Sequence, residues 1–212
     1  MGWHGNPMGL NPLMKITNAP ATGIDGIALR QIEPGDCEAW YAYLSLPQVF
    51  ERTSWNLRSV DDLRATLEGY LQDGPTTPVR MAVVDTSTGQ LVGTIGLHTI
   101  SDVNLSAEIA YDFAPGHWGR GLASRLCERV TSWSFQALGL HRLQATVLVG
   151  NEASERVLVR CGFRHEGLLR GFRMVRGTPG DFNLFSRLST DDAEIAGRPA
   201  GPVGRSSATS GS

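Results

Sequence analysis

Trp118-Gly119-Arg120-Gly121-Leu122-Ala123 is the stretch on which the fold turns. Ahead of it, Ser106 to Phe113 reads as a strand closed by Ala114-Pro115-Gly116. Behind it, apolar residues recur at Leu122, Leu126, Val130, Trp133 and Ala137, the period of an amphipathic helix of about five turns. Two glycines therefore stand at a strand-to-helix junction. The first amides of a helix have no internal partner, and the helix dipole makes that end positive. Glycine also lets the backbone approach a ligand closely. Together these features suit a phosphate or pyrophosphate, although a Gly-x-Gly before a helix also serves as a plain tight connection. No Gly-Lys-Ser/Thr follows, so the stretch is not a P-loop. Ser124 stands at the third-glycine position and no βαβ repeat begins the chain, which argues against a dinucleotide fingerprint.

Working outward, the pattern predicts a short strand over Gly26 to Gln31 and a helix opened by Pro34-Gly35-Asp36. A second helix falls within Leu57 to Tyr70, where Ser59 followed by Asp62 resembles a capping box. Val79 to Asp85 and Gln90 to Thr99 read as a hairpin around Asp85-Thr86-Ser87-Thr88-Gly89. The strand Leu105 to Phe113 then leads into the central helix, Gly119 to Leu138. Arg142 to Val149 is strand-like, Glu152 to Arg160 helical, and Phe163 to Arg173 and Asp181 to Leu188 close the domain around Gly177-Thr178-Pro179-Gly180. This order predicts a single α/β domain over 24–189 with a mixed, mostly antiparallel sheet. Residues 1–23 and 190–212, rich in Gly, Pro, Ser and Ala, read as flexible tails.

The chain has 212 residues and 41% hydrophobic content, enough for one substantial core. No run of about 18 apolar residues suggests a membrane span, and Met1 to Pro20 lacks the pattern of a secretory signal. Cys37, Cys127 and Cys161 form an odd set without Cys-x-x-Cys spacing, as expected of reduced thiols in a cytoplasmic protein. None of the five histidines (His4, His98, His117, His141, His165) has metal-ligand spacing, so no metal is expected. A net charge of −2 argues against a nucleic-acid binder. Yet 117–176 holds ten arginines against four glutamates. Such an excess suits a ligand with several phosphates, and part of it is simply solvated helix surface.

The run from Ala107-Glu108-Ile109-Ala110-Tyr111 through the glycine turn resembles the core of the GNAT N-acyltransferases. Trp118 occupies the Gln/Arg place of that family's Gln/Arg-x-x-Gly-x-Gly/Ala turn, Gly121 its glycine and Ala123 its last small residue. Trp in the first place is similar to the branch that acetylates N-termini of ribosomal proteins, the RimJ/RimL type. Leu138-Gly139-Leu140-His141-Arg142, Asn151-Glu152-Ala153-Ser154 and Cys161-Gly162-Phe163 with Glu166-Gly167 continue the likeness, which covers roughly 26–188. It implies a sheet whose two central strands splay, with an acyl-coenzyme A, acetyl-CoA first, lying in the gap. The acceptor it implies is an amine, either a protein or peptide α-amine or a small molecule. A homo-oligomer is compatible with it.

The resemblance implies that Tyr111, Asp112 and Phe113, the turn Trp118, Gly119, Arg120, Gly121, Leu122 and Ala123, and Asn151 contact the cofactor. It also sets Ser154 facing the thioester sulfur. From spacing alone, Asn151 and Ser154 share one face of a new helix, and Asn151 also suits a helix cap. Transfer to an amine needs a held donor, a neutral amine and a stabilised thiolate, with no covalent enzyme intermediate. Cys161, the rival nucleophile, sits where ordinary variable residues occur. Alternation puts Glu108, Ala110 and Asp112 on one strand face and Ile109, Tyr111 and Phe113 on the other. Glu108 is then either a general base acting through water or a binder of the substrate ammonium. In the ribosomal branch a carboxylate often follows the Glu-Gly pair, whereas Leu168-Leu169-Arg170-Gly171-Phe172-Arg173 has none. Thr53 and Trp55 are expected to wall the acceptor site, though Trp55 is equally suited to the core. Arg170 or Arg173 facing the acyl end would favour succinyl-CoA. A non-catalytic acyl-CoA binding module is the remaining alternative.

Overall fold

The computed structural model describes residues 19–72 and 74–191. Its strands are β1 (Ile27–Gln31), β2 (Val79–Asp85), β3 (Leu91–Ser101), β4 (Ser106–Phe113), β5 (Arg142–Leu148), β6 (Arg164–Val175) and β7 (Thr178–Leu188). Its helices are α1 (Cys37–Leu44), α2 (Pro47–Phe50), α3 (Val60–Tyr70), α4 (Leu122–Gln136) and α5 (Glu152–Arg160). The seven strands form one sheet in the order β1-β2-β3-β4-β5-β7-β6. Every pairing is antiparallel except β4 with β5. That pair is in register at Ser106↔Arg142, Ala107↔Leu143 and Glu108↔Gln144 and no further. Past Glu108 the two strands part, and the opening between them is where both cavities described below lie.

Two cores flank the sheet. On one side α4 lays Leu126, Cys127 and Val130, all fully buried, against Ile95, Ile109, Leu143 and Phe185. On the other, α1 and α3 pack Trp40, Leu44 and Leu63 against Ile32, Ala82 and Val84. Alternation along β4 feeds both: Ile109 and Phe113 join the first core, while Asp112 faces the residues of the second. Gly96 of β3 marks a close strand approach, because a Cβ there would meet the Val79 carbonyl oxygen at 1.9 Å.

The expected elements are present, with changes that have local causes. α4 begins at Leu122, not Gly119, because Gly119 and Gly121 both adopt left-handed backbone (φ 73° each). Ser59 does not cap α3; Asp62 accepts from the Arg58 amide instead, at 2.9 Å. The last hairpin turns at Arg176-Gly177, so Pro179 and Gly180, expected in the turn, are paired in β7. The short helix α2 was not expected. Within the expected N-terminal tail, Thr22 is buried and its hydroxyl donates to the Ile27 carbonyl at 2.7 Å. Residues 1–18 and 192–212 of the expected tails lie outside the described residues.

Candidate active site

Two cavities meet in the gap between β4 and β5. The first, about 360 Å³, runs over the start of α4 and is lined by Trp118, Gly119, Gly121, Leu122, Ala123 and Ser124, with Arg156 and Arg160 of α5 opposite. Gly121 is the N-cap of α4 and places no side chain over the helix end. The amides of the first turn therefore face the cavity, with the positive end of a 15-residue helix behind them. The Trp118 indole has a structural tie as well as lining this space. It donates from Nε1 to the Phe113 carbonyl at 2.8 Å and so ties the turn to the end of β4. Arg120 is exposed and does not line the cavity. Glycine backbone, helix amides and flanking arginines fit a pyrophosphate-bearing ligand of the coenzyme A type.

The second cavity, about 390 Å³, lies on the other side of the gap and is walled by charged and aromatic side chains. Thr53 and Trp55 line it as expected, and Trp55 also stacks edge-on against core Trp40 at 5.7 Å. Glu108 is buried at its floor. Its carboxylate accepts from Thr146 Oγ1 and from Arg173 Nη2, the latter at 3.0 and 3.2 Å to its two oxygens. His98 Nε2 stands 3.7 Å from Glu108 Oε1. Burial lowers the His98 pKa, more than Glu108 raises it, so the imidazole is neutral near pH 7. Nearby, Asp112 Oδ1 accepts from Trp40 Nε1, Tyr43 OH and Thr94 Oγ1 at 3.0, 2.5 and 2.8 Å, and Oδ2 pairs with buried Arg80. The Asp112 carboxylate is thus fully engaged by protein donors, while the residue still lines the first cavity.

Six residues line both cavities: Arg52, Thr53, Tyr111, Asp112, Asn151 and Ser154. At their junction Ser154 Oγ donates to Tyr111 OH at 3.1 Å, and that hydroxyl donates on to the Ser154 carbonyl at 3.2 Å. Burial pushes the Tyr111 pKa well up, so it remains a protonated phenol. Asn151 caps α5, accepting from the Ser154 amide at 3.2 Å and donating from Nδ2 to the Arg52 carbonyl at 2.9 Å. Both ends of its amide are therefore engaged by protein. The 50–56 loop, which separates the cavities, is pinned from the far side by Arg176, whose Nη1 donates to the Phe50 and Thr53 carbonyls.

Of the expected substrate contacts, Arg170 falls on an exposed face of β6 and lines neither cavity, whereas Arg173 does. The two are three residues apart and so lie on opposite faces of the strand, and the register shifts between Leu169 and Arg173. Cys161 is buried between α4 and α5, its Sγ donating to the Ser124 carbonyl at 3.3 Å, away from both cavities. His98 was considered in the sequence only for metal spacing and given no site role, and Arg80 was not singled out. His98 is the cross-strand partner of Glu108, a relation set by the β3–β4 register that alternation within either strand does not give. Among the described residues no cluster of His, Cys, Asp or Glu is arranged to hold a metal, and no helix is long and apolar enough to cross a membrane.

The acetyltransferase (GNAT) domain family matches residues 27–164. The chain belongs to this family. It is an acyl-CoA-dependent N-acyltransferase, with acetyl-CoA the family's co-substrate. It is 36% identical over 169 residues to the uncharacterized N-acetyltransferase YoaA of Bacillus subtilis (strain 168), covering 79% of this chain and 96% of that one. The putative ribosomal N-acetyltransferase YdaF of the same organism is also 36% identical, over 49% of this chain and 56% of the relative. Among solved structures, spermidine N-acetyltransferase from Vibrio cholerae in complex with CoA and spermine superposes with a TM-score of 0.69 at 25% identity, covering 79% of this chain and 98% of that one. The GNAT enzyme described here shares the fold of that structure.

Proposed function

We propose that this enzyme moves an acetyl group from acetyl-CoA directly to the α-amine of a protein or peptide acceptor in the cytoplasm. The observation that carries this is the meeting of two unlike cavities at the Tyr111–Ser154 hydroxyl pair. One suits a phosphate-bearing donor, and the other, polar and walled by the 50–56 loop, suits an acceptor. The relatives are described as acting on both kinds of amine, ribosomal proteins and spermidine.

In the proposed reaction a neutral amine forms the C–N bond at the thioester carbonyl and the C–S bond breaks. The Tyr111–Ser154 pair stabilises the departing thiolate by hydrogen bonding, and the thiolate takes its proton from water relayed through the pair. The proton lost by the amine passes through water to neutral His98, where Glu108 stabilises the resulting imidazolium. Glu108, already paired with Arg173, serves this charge better than it serves as a base by itself. Asn151 orders the first turn of α5 and so fixes Ser154. An α-amine, with pKa near 8, reaches the neutral state more easily than lysine near 10.4.

The test is incubation with acetyl-CoA and a panel of peptides and small amines, followed by thiol release and mass spectrometry of the product. The expected outcome is N-terminal acetylation with a rate rising through about pH 7–8.5. Modification of lysine side chains in preference to N-termini would overturn the proposal.

A further inference from the structure

The acceptor cavity is unusual in how its charges are used. Three arginines, Arg52, Arg80 and Arg173, line it against two carboxylates, Glu108 and Asp112. Neither carboxylate is open. Asp112 takes four donors from the protein, and Glu108 is held by Thr146 and Arg173 with His98 beside it. An acceptor with a second ammonium would find every carboxylate oxygen on this wall already hydrogen-bonded, and it would add a cation beside an existing excess of one.

The arginines differ in what they have left to give. Arg80 is buried and donates from all three nitrogens, to Thr94, Ala110 and Asp112. Arg52 lies over the Trp118 ring at 5.6 Å, toward the cofactor side. Arg173 is different. Only its Nη2 is engaged, with Glu108, and its side chain is 34% exposed. Its guanidinium lies 4.8 Å from the Phe172 ring and 5.6 Å from the Phe182 ring, which fixes the plane of the fork. Nε and Nη1 engage no acceptor among the described residues. Free N–H groups on a guanidinium packed against aromatic rings beside a reaction cavity suit a carboxylate, which each can meet with a charge-assisted hydrogen bond.

We propose that Arg173 binds a carboxylate carried by a reactant, and that its source is the acceptor: an amine with an acidic group close by, such as an amino acid or a peptide beginning with an acidic residue. This rests on the direct transfer proposed above. Glu108 then has a second role, holding the guanidinium at the cavity wall while its own charge is neutralised. The same geometry excludes polyamines as preferred acceptors.

The test compares C-terminally amidated peptides that differ only in Glu or Gln at the first position, together with spermidine, at fixed acetyl-CoA. The Glu peptide is expected to be favoured by about tenfold or more in kcat/KM. Arg173→Gln should abolish that ratio and Arg173→Lys should retain part of it. The double variant Arg173→Gln/Glu108→Gln, which leaves no unpaired buried charge, should show no preference either. A ratio near one in the native enzyme, a ratio surviving in Arg173→Gln, or spermidine as the better acceptor would overturn the proposal. Succinyl-CoA with the Gln peptide identifies the source. If only that pair depends on Arg173, the carboxylate belongs to the donor and the acceptor class is wrong. Calorimetry with the N-acetylated product peptides reads the same preference without turnover. If no amine in the panel releases thiol but the acetylated Glu peptide still binds selectively, the transfer chemistry fails and the carboxylate site stands.

Discussion

The two cavities that meet at Ser154 are built from different materials. The cofactor side is mostly backbone: left-handed Gly119 and Gly121, the open amides of α4 and a tryptophan that ties the turn to β4. The acceptor side is mostly side chains from β2, β3, β4, β5 and β6, locked to one another by ion pairs and hydrogen bonds. A backbone site is local and tolerates change in its neighbours. A side-chain site assembled from five strands is specific and brittle, because removing one member strands another in a buried place.

The sharpest way to break that contrast is Asp112→Ala. Arg80 and Asp112 are about 5% exposed or less, and loss of the carboxylate leaves a buried guanidinium unpaired. Stability should fall by about 3–5 kcal/mol in chemical denaturation. A loss below about 1 kcal/mol would mean the network is looser than its geometry.

Gly121→Asp tests the backbone side. Nothing lies within 4 Å of a Cβ built there, so space is open, but φ is +73° and a carboxylate would enter an anion site. Coenzyme A affinity should weaken by more than about 2 kcal/mol in calorimetry, from strain and charge together. Unchanged affinity would remove the turn from the cofactor site.

Ser154→Ala probes the junction. An interaction made mainly with the departing thiolate should lower kcat by about tenfold to a hundredfold while cofactor affinity holds. An equal loss in binding would instead assign Ser154 to holding the cofactor.

The smallest effect is expected outside both cavities, at Glu166. Paired with Arg142 and bonded to Ser186, its carboxyl is held at about 2, below an ordinary 4.5. A depressed folded value contributes stability fully above pH 4.5 and loses it as pH falls toward 2. The group is largely exposed, so Glu166→Gln should cost less than about 1 kcal/mol at pH 7. The difference from the parent should vanish in unfolding curves taken near pH 2.

The element order and the glycine turn were legible in the chain because each rests on local rules, and the family was legible from the resemblance of its motifs. Glycine at a strand-to-helix junction, the 3.6-residue period of Leu122, Leu126 and Val130, and the alternation of β4 are all short-range signals. Glu108 and Ser154 were reachable for the same reason, one by alternation and one by helical spacing. The acceptor wall depended on the tertiary structure. His98 and Arg80 join Glu108 and Asp112 only through the pairing of β2, β3 and β4. Arg173 and Arg170 stand on opposite faces by plain alternation, but which face meets the cavity was settled only by how β6 docks on β7. The helix-cap role of Asn151 was readable from its spacing, but its bond to the Arg52 carbonyl of the 50–56 loop was not. Short-range spacing therefore specified what the backbone presents to the donor. Contacts across 32 to 99 residues of sequence, from Arg80–Asp112 to Asn151–Arg52, decided which charges remain for the acceptor.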